Sequence, residues 1–275
     1  MHNIIITGAS GFIGNNILNF YKNKKIIVIT KRKKINKSRF IKVINYKNFD
    51  ELISKLKKIK AKIIIHCATH YVKNHKLEDV KKINEANILL GNIVLEMSKN
   101  MGVKKFINFT SIWEFENKNL YSYSKKSFSQ LLEFYKKKYF SIKFYNIYLS
   151  DTFGKDDNRK KILPTIKKNY KMNQTITINS KNLKLNFLNI KDLLHSVDIL
   201  VKKNQVKPGN YLLINNKNFF IHKIFTQFNF FNKKKIKFRY KSKGHISTRI
   251  PNIKLLPGLK LGNSRISNII EYIKE

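Results

Sequence analysis

Thr7-Gly8-Ala9-Ser10-Gly11-Phe12-Ile13-Gly14 decides the fold of this chain. An apolar, β-branched run at residues 3–7 leads into it, and an amphipathic stretch over residues 12–21 leads out. Three glycines at three-residue intervals therefore stand between a predicted strand and a predicted helix. Gly8 permits a tight turn, Gly11 lets backbone approach a phosphate, and Gly14 lets the helix lie close on the sheet. The pyrophosphate of a dinucleotide fits such a helix N-terminus. The chain has only 10 glycines in 275 residues, so the spacing does not follow from composition.

Outward from this turn, short apolar runs alternate with longer amphipathic ones, as in a parallel sheet with crossover helices. Strands are predicted at residues 3–7, 26–30, 41–44, 62–66, 104–109 and 142–149, with helices at 12–21, 48–58, 78–100 and 121–138. Their two-sided apolar character suits strands covered on both faces. After Ser150 the rhythm loosens. A helix is expected near 162–171, an edge strand at 175–178, an apolar run at 183–190 and a helix at 193–202. A strand at 211–214, a helix at 221–228, a strand at 235–240 and a terminal helix complete the chain. The expectation is an α/β fold, a Rossmann-type doubly wound parallel sheet with a small C-terminal substrate-binding lobe. Residues 1–155 would form the dinucleotide-binding domain, with 184–203 returning to it, and 156–275 the interleaved lobe.

Hydrophobic content of 42% supports a packed core. The single cysteine, Cys67, excludes an internal disulfide and fits a reducing compartment. No apolar run approaches bilayer length, and the first strand begins too near Met1 for a signal peptide, so a cytoplasmic location without membrane contact is expected. The formal charge of +41 attracts polyanions in general. Only six of the 57 basic residues are Arg, however, and no Arg-rich stripe stands out. Base reading favours Arg, so no nucleic-acid partner is expected. Abundant Lys, Asn and Ile together are what an AT-rich coding sequence produces.

Reduction of a carbonyl needs a proton donor at its oxygen, and a Tyr beside a Lys can supply one, because the ammonium favours the phenolate. Tyr and Lys four apart share a helix face. The spacing occurs three times, at Tyr21/Lys25, Tyr121/Lys125 and Tyr139/Lys143. Tyr21 ends the first helix, away from the strand ends where ligands bind, and Tyr139 and Lys143 straddle a helix end and a strand start. Tyr121 and Lys125 open the helix after strand five.

The glycine turn, His66-Cys67-Ala68-Thr69, Asn87-Ile88-Leu89-Leu90-Gly91, Thr110-Ser111 and Tyr121/Lys125 together resemble the extended short-chain dehydrogenase/reductase family, with Asn189-Ile190-Lys191-Asp192 as a further, weaker match. The resemblance implies catalysis by Tyr121, Lys125 and Ser111, with Thr110 as the neighbouring alternative to Ser111. It implies cofactor contacts from Gly8, Ser10, Gly11, Phe12, Ile13 and Gly14, from Cys67, Ala68 and Asn87, and from Tyr121 and Lys125. Substrate contacts are expected from Thr69, Trp113 and Arg159, where Lys160 and Lys161 compete with Arg159. The family also implies a homodimer.

At the end of strand two, Lys31 and Arg32 stand where an acidic residue usually selects NAD; they fit a 2′-phosphate, so NADPH is the expected cofactor and NAD the alternative. Ile112-Trp113 replaces the Asp-Glu pair of the family's dehydratases. Residues 110–113, 151–161 and 183–187 resemble its abequose- and paratose-synthase branch, which implies reduction of a 4-keto group on a nucleotide-linked deoxysugar. A 4-epimerase with tightly bound NAD and a non-catalytic dinucleotide sensor are the alternatives. His66 is explained by the strand-four motif, His70 and His75 are expected to have no nearby carboxylate, or thiol beyond Cys67, and no metal site is expected.

Overall fold

The computed structural model describes residues 4–31, 35, 39–116, 119–202 and 205–275, so Asn3 and Arg32 lie outside the described residues. Two compact units form: Met1–Tyr148 with Val197–Leu212, and Leu149–Ser196 with Leu213–Glu275. The segment that returns to the first unit is thus Val197–Leu212, where residues 184–203 were expected.

The first unit is built on a seven-stranded sheet of order β10-β6-β5-β4-β1-β2-β3. Its strands are β1 (Ile4–Thr7), β2 (Ile26–Thr30), β3 (Ile41–Asn45), β4 (Ile63–His66), β5 (Lys105–Ser111), β6 (Lys143–Leu149) and β10 (Gly209–Leu213). β1 pairs in parallel with β2 on one side and β4 on the other, Ile5 lying opposite both Ile27 and Ile64. Every residue of β1 and β2 is buried, the pattern of strands covered on both faces. The strand order reverses between β1 and β4, the switch point at which such sheets open a crevice beyond their C-terminal ends. Thr7 and His66 end these two strands and are joined there, Thr7 Oγ1 to His66 Nδ1 at 2.8 Å.

The crossover helices follow the apolar periodicity. They are α1 (Phe12–Phe20), α2 (Phe49–Lys57), α3 (Leu77–Asn84), α4 (Leu90–Met97) and α5 (Leu120–Lys138). Leu52 and Leu56 of α2, Val94 and Leu95 of α4 and Phe128 and Leu132 of α5 pack in one core with Ile5, Ile27, Ile64, Phe106 and Phe144 of the sheet. A single helix was expected over 78–100. The structure instead interposes a π-helical turn, Glu85–Leu89, between α3 and α4. One extra residue per turn escapes a 3.6-residue periodicity, and such turns gather at functional sites.

The second unit carries β7 (Asp151–Phe153) paired in parallel with β9 (Phe187–Asn189), and a three-stranded sheet of order β11-β8-β12. The latter strands are β8 (Ile176–Leu185), β11 (Phe219–Phe220) and β12 (Phe238–Ser247). The strand expected as an edge at 175–178 is therefore the central one. Helices α6 (Ile162–Lys171), α8 (Ile221–Phe231) and α9 (Ile266–Lys274) supply Leu163, Ile166, Ile224, Phe225, Phe228, Ile269 and Ile273 to a separate core around Phe153, Ile176, Ile178 and Phe187. Helix α7 (Ile190–Lys202) begins in this unit and ends in the first, where Asp198 accepts a 3.0 Å hydrogen bond from Tyr21.

Candidate active site

The glycine turn has the geometry its spacing predicts, and each glycine is required for a different reason. Gly8 has φ +72°, and a Cβ there would stand 2.5 Å from the Ala68 nitrogen. A Cβ on Gly14 would meet the Gly8 carbonyl oxygen at 2.3 Å, so the first turn of α1 presses directly on the loop. Gly11 differs. Its φ of −90° suits any residue, it is exposed, and a Cβ would find only the Gly8 oxygen at 3.4 Å. The protein itself does not demand glycine at 11; a ligand approaching the backbone would. No side chain caps α1 and no acidic residue occupies its first turn. An uncapped helix N-terminus with bare backbone beside it fits a dinucleotide pyrophosphate.

Beside the turn opens a cavity of about 270 Å³, lined by Gly8, Ser10, Ile29, Thr30, Lys31, Tyr46, Phe49, Ala68, Thr69 and Glu85 among others. Lys31 crosses it to Glu85 of the π turn, Nζ to Oε2 at 2.7 Å, and its ammonium lies 4.7 Å from the Phe49 ring centre and 5.6 Å from that of Tyr46. The phenol of Tyr46 is pushed up to about 12 by burial and by Glu85. Tyr46, Phe49 and Glu85 were not among the expected site residues. Tyr46 follows β3 directly, so its place at the strand ends was the available signal.

Asn87 was expected to touch the cofactor. Its Oδ1 accepts from Thr69 Oγ1 at 3.0 Å and the His70 nitrogen at 2.6 Å; its Nδ2 donates to the His70 oxygen at 3.2 Å and Ser124 Oγ at 2.8 Å. Both lone pairs and both protons of the amide are thereby used. Asn87 thereby ties the loop after β4 to α5. Cys67 and Ala68 line the switch point, where the Gly8 turn abuts their backbone. Burial pushes the Cys67 thiol up to about 12, so it stays a neutral wall. Burial also takes His66 down to about 3, with the Lys125 charge adding to the effect; His66 is a neutral brace between β4 and β1.

Ser111 closes β5, and its Oγ accepts a 3.2 Å hydrogen bond from the Trp113 nitrogen, capping a 3₁₀ turn at Ile112–Phe115. Helix α5 opens with a capping box: Asn119 Oδ1 accepts from the Ser122 nitrogen at 2.9 Å, and Ser122 Oγ from the Asn119 nitrogen at 3.2 Å. The cap fixes Tyr121 in the first turn and Lys125 in the second. The ammonium of Lys125 is buried and donates to the Phe109 oxygen at 2.8 Å, two residues before Ser111. Burial lowers Lys125 to about 8, with Glu114 and Cys67 pulling the other way. Of the three Tyr-x-x-x-Lys pairs, only this one lies on a single helix. Tyr21 is the α1 C-cap, and Tyr139, the α5 C-cap, donates to Glu96 while Lys143 starts β6. The Tyr121 ring meets Tyr71 edge-on at 4.9 Å, and Tyr71 also meets Trp113 at 6.1 Å. Tyr71 was not foreseen either, though it follows the strand-four motif by only two residues.

Arg159, expected to contact substrate, lies in the second unit and grips Asp157 through both Nε and Nη2 at 2.7 Å. Nη2 also reaches the Thr152 oxygen at 2.7 Å, so the guanidinium fastens its own loop to β7. His70 does have a carboxylate partner, Asp79 Oδ1 at 3.4 Å. Among the described residues no helix is long and apolar enough to cross a membrane.

Comparison with known proteins places this geometry. The model of the NAD dependent epimerase/dehydratase family matches residues 4–213. A CDP-abequose synthase of Yersinia pseudotuberculosis is 26% identical over 224 residues, 76% of this chain and 77% of that protein. A dTDP-D-glucose 4,6-dehydratase of Dictyostelium discoideum is 28% identical over 245 residues, 74% of this chain and 56% of that one. Among solved structures, a UDP-N-acetylglucosamine 4-epimerase from Methanobrevibacter ruminantium superposes with a TM-score of 0.80 at 17% identity, over 99% of this chain and 97% of the other.

Proposed function

The chain belongs to the NAD dependent epimerase/dehydratase family, and on that premise we propose that it reduces the 4-keto group of a nucleotide-linked deoxysugar, with NADPH as its cofactor. The observation that carries the chemistry is the buried Lys125, one helical turn beyond Tyr121 and held to the oxygen of Phe109, two residues before Ser111. The likeness to CDP-abequose synthases supports the sugar, and Ile112-Trp113 after Ser111 offers no acid–base pair for loss of water.

The glycine turn and the uncapped α1 N-terminus would hold the cofactor's pyrophosphate, with the adenosine beside Tyr46, Phe49 and Lys31. When bound, the reduced nicotinamide supplies the hydride. The protein supplies the proton and the electrostatics. Tyr121 donates its phenolic proton to the ketone oxygen as that oxygen gains charge, and Ser111 donates a hydrogen bond to the same oxygen. Lys125, cationic near neutrality, steadies the phenolate left on Tyr121 until solvent returns a proton. Lys31 reaches a 2′-phosphate by leaving Glu85, with Arg32 next to it in sequence. Tyr123 and Phe134, eleven residues apart on α5 and both exposed, suit a second copy of the chain as a homodimer face.

The test is loss of reduced-nicotinamide absorbance when the purified protein meets NADPH and a panel of nucleotide-linked 4-keto-6-deoxy sugars. Turnover of one member is the expected result and names base and sugar together. Silence across the panel while NADPH binds, or interconversion of 4-hydroxy sugars without added cofactor, would overturn the reductase reading.

A further inference from the structure

The carboxyl of Glu114 takes no part in the steps above, yet it is 3% exposed and sits among the elements that carry them. Its Oε2 accepts from Thr110 Oγ1 at 3.3 Å and from Ser129 Oγ at 3.0 Å. Ser129 in turn accepts from Asn146 Nδ2 at 3.1 Å, and Asn146 Oδ1 from Asn108 Nδ2 at 2.7 Å, so a line of buried polar groups crosses β5, β6 and α5. Thr110 stands between Phe109, whose carbonyl receives the Lys125 ammonium, and Ser111. Ser129 lies four residues after Lys125, on the same face of α5. A buried acid in this position is costly unless it is paired and hydrogen-bonded.

We propose that Glu114 is a positioning residue: its carboxylate clamps the end of β5 to α5 through Thr110 and Ser129, and its charge holds Lys125 in the cationic form that Tyr121 requires. The proposal rests on the reading of Tyr121 and Lys125 given above, and it adds a fourth side chain that acts through Lys125 and the end of β5.

Burial pushes Glu114 up to about 7 and Lys125 down to about 8, and attraction between the two opposes both effects. Lys126 and Glu133 of α5, both more exposed, line a pocket with Glu114; the buried titratable groups facing Glu114 and Lys125 are His66 and Cys67 at the end of β4, toward Lys125, and Tyr148 of β6, toward Glu114. His66 is held far below neutrality and the other two far above, so all three remain uncharged between pH 5 and 9. The buried groups of this cluster that change charge in that range are Glu114 and Lys125. Below the window Glu114 is protonated and its charge is lost; above it Lys125 is neutral. Opposite charges on the two groups therefore coexist over a narrow band near pH 7 to 8, and both limits belong to the coupled groups.

Glu114→Gln keeps an accepting oxygen for Thr110 and Ser129 and removes the charge. With lysine labelled by ¹³C at Cε, the resonance missing from Lys125→Met reports the Lys125 titration without substrate. The expected result is a midpoint lower by one pH unit or more in Glu114→Gln, a tenfold change in its protonation constant. With the 4-keto sugar turned over in the panel, the alkaline limb of kcat/KM moves down in step. A brace without an electrostatic role would slow turnover equally at every pH and leave the midpoint where it is, which overturns the proposal. Glu114→Asp, which retains the charge, restores the midpoint. Should Glu114→Gln not fold, Ser129→Ala removes one donor from the carboxylate and keeps it protonated to higher pH; the Lys125 midpoint then moves down, and an unmoved midpoint counts against the proposal. Full activity in Tyr121→Phe would instead remove the reading of the site, while the Lys125 midpoint would still decide whether the pair exists.

Discussion

Adding one methyl group to Gly11 and one to Gly14 separates what the fold needs from what the cofactor needs. In Gly14→Ala the new Cβ stands 2.3 Å from the Gly8 oxygen and 2.7 Å from its carbon. Both are backbone atoms of a turn whose own conformation, at φ +72°, leaves little room to yield. Overpacking of this kind costs about 1–3 kcal/mol, and at roughly 2–4 °C per kcal/mol for a chain of this size the melting temperature should drop by about 2–12 °C. In Gly11→Ala the nearest protein atom is at 3.4 Å and the backbone is already extended. Loss of glycine at an N-cap costs up to about 1 kcal/mol, and a stiffer unfolded chain returns about 0.4–1 kcal/mol. Stability should stay within about 1 kcal/mol of the wild type. The methyl would nevertheless stand where a phosphate must reach the backbone. Forfeiting one hydrogen bond to a charged group, about 1.5–3 kcal/mol, weakens binding roughly 10- to 150-fold. Thermal melts followed by circular dichroism give the first quantity. Titration of NADPH against the emission of Trp113, the sole tryptophan, gives the second. An unchanged Kd in Gly11→Ala, or equal melting losses in the two variants, would refute the assignment of Gly11 to the ligand and Gly14 to the fold.

Tyr121→Phe should lower kcat by about 10²- to 10⁴-fold and leave the NADPH Kd within a few-fold, read by steady-state kinetics and fluorescence titration. Glu85→Gln frees Lys31 for the 2′-phosphate. Because the Lys31–Glu85 pair is partly exposed and worth roughly 0.2–1 kcal/mol, the NADPH Kd should tighten about 1.4- to 5-fold against an NADH Kd that does not tighten; equal shifts in the two would place the phosphate elsewhere. Asp157→Asn breaks the two-point grip on Arg159, and melting should fall by the equivalent of about 1–3 kcal/mol with no change in cofactor binding. A weaker Kd in that variant would contradict the confinement of its effect to the second unit.

The sheet could be read from the sequence because its strands announce themselves separately. Each is a β-branched run followed by an amphipathic stretch long enough for one crossover, as at Ile26–Thr30 and Phe49–Lys57. The second unit resisted reading for a physical reason. Along Ile176–Leu185 burial alternates as in a strand with one face covered, and that pattern is the same for an edge strand and for one flanked by neighbours on both sides. Hydrogen-bond partners lying sixty residues away, such as Tyr240 opposite Ile178, leave no mark on local spacing. The positions of Ser111 at the end of β5 and of Tyr121 and Lys125 at the start of α5 were legible from the strand–helix order. Asn87 was legible as special, but the π turn that aims it at the loop and at Ser124 was not. Glu114 was hidden in Ile112-Trp113-Glu114-Phe115, where its neighbours suggest a plug of apolar side chains.

Strand β10 closes the β6 edge of the large sheet, yet it is made long after β6. About sixty residues separate Leu149 from Gly209, and at a ribosomal rate of about 5–20 residues per second they take roughly 3–12 s to synthesise. For that interval the nascent chain carries a β6 ladder with no neighbour on one side, ready to accept a strand from another polypeptide. Newborn copies on one messenger are thus exposed to swapping that the finished protein is not, and a chain that stopped short of Gly209 would carry the open ladder permanently.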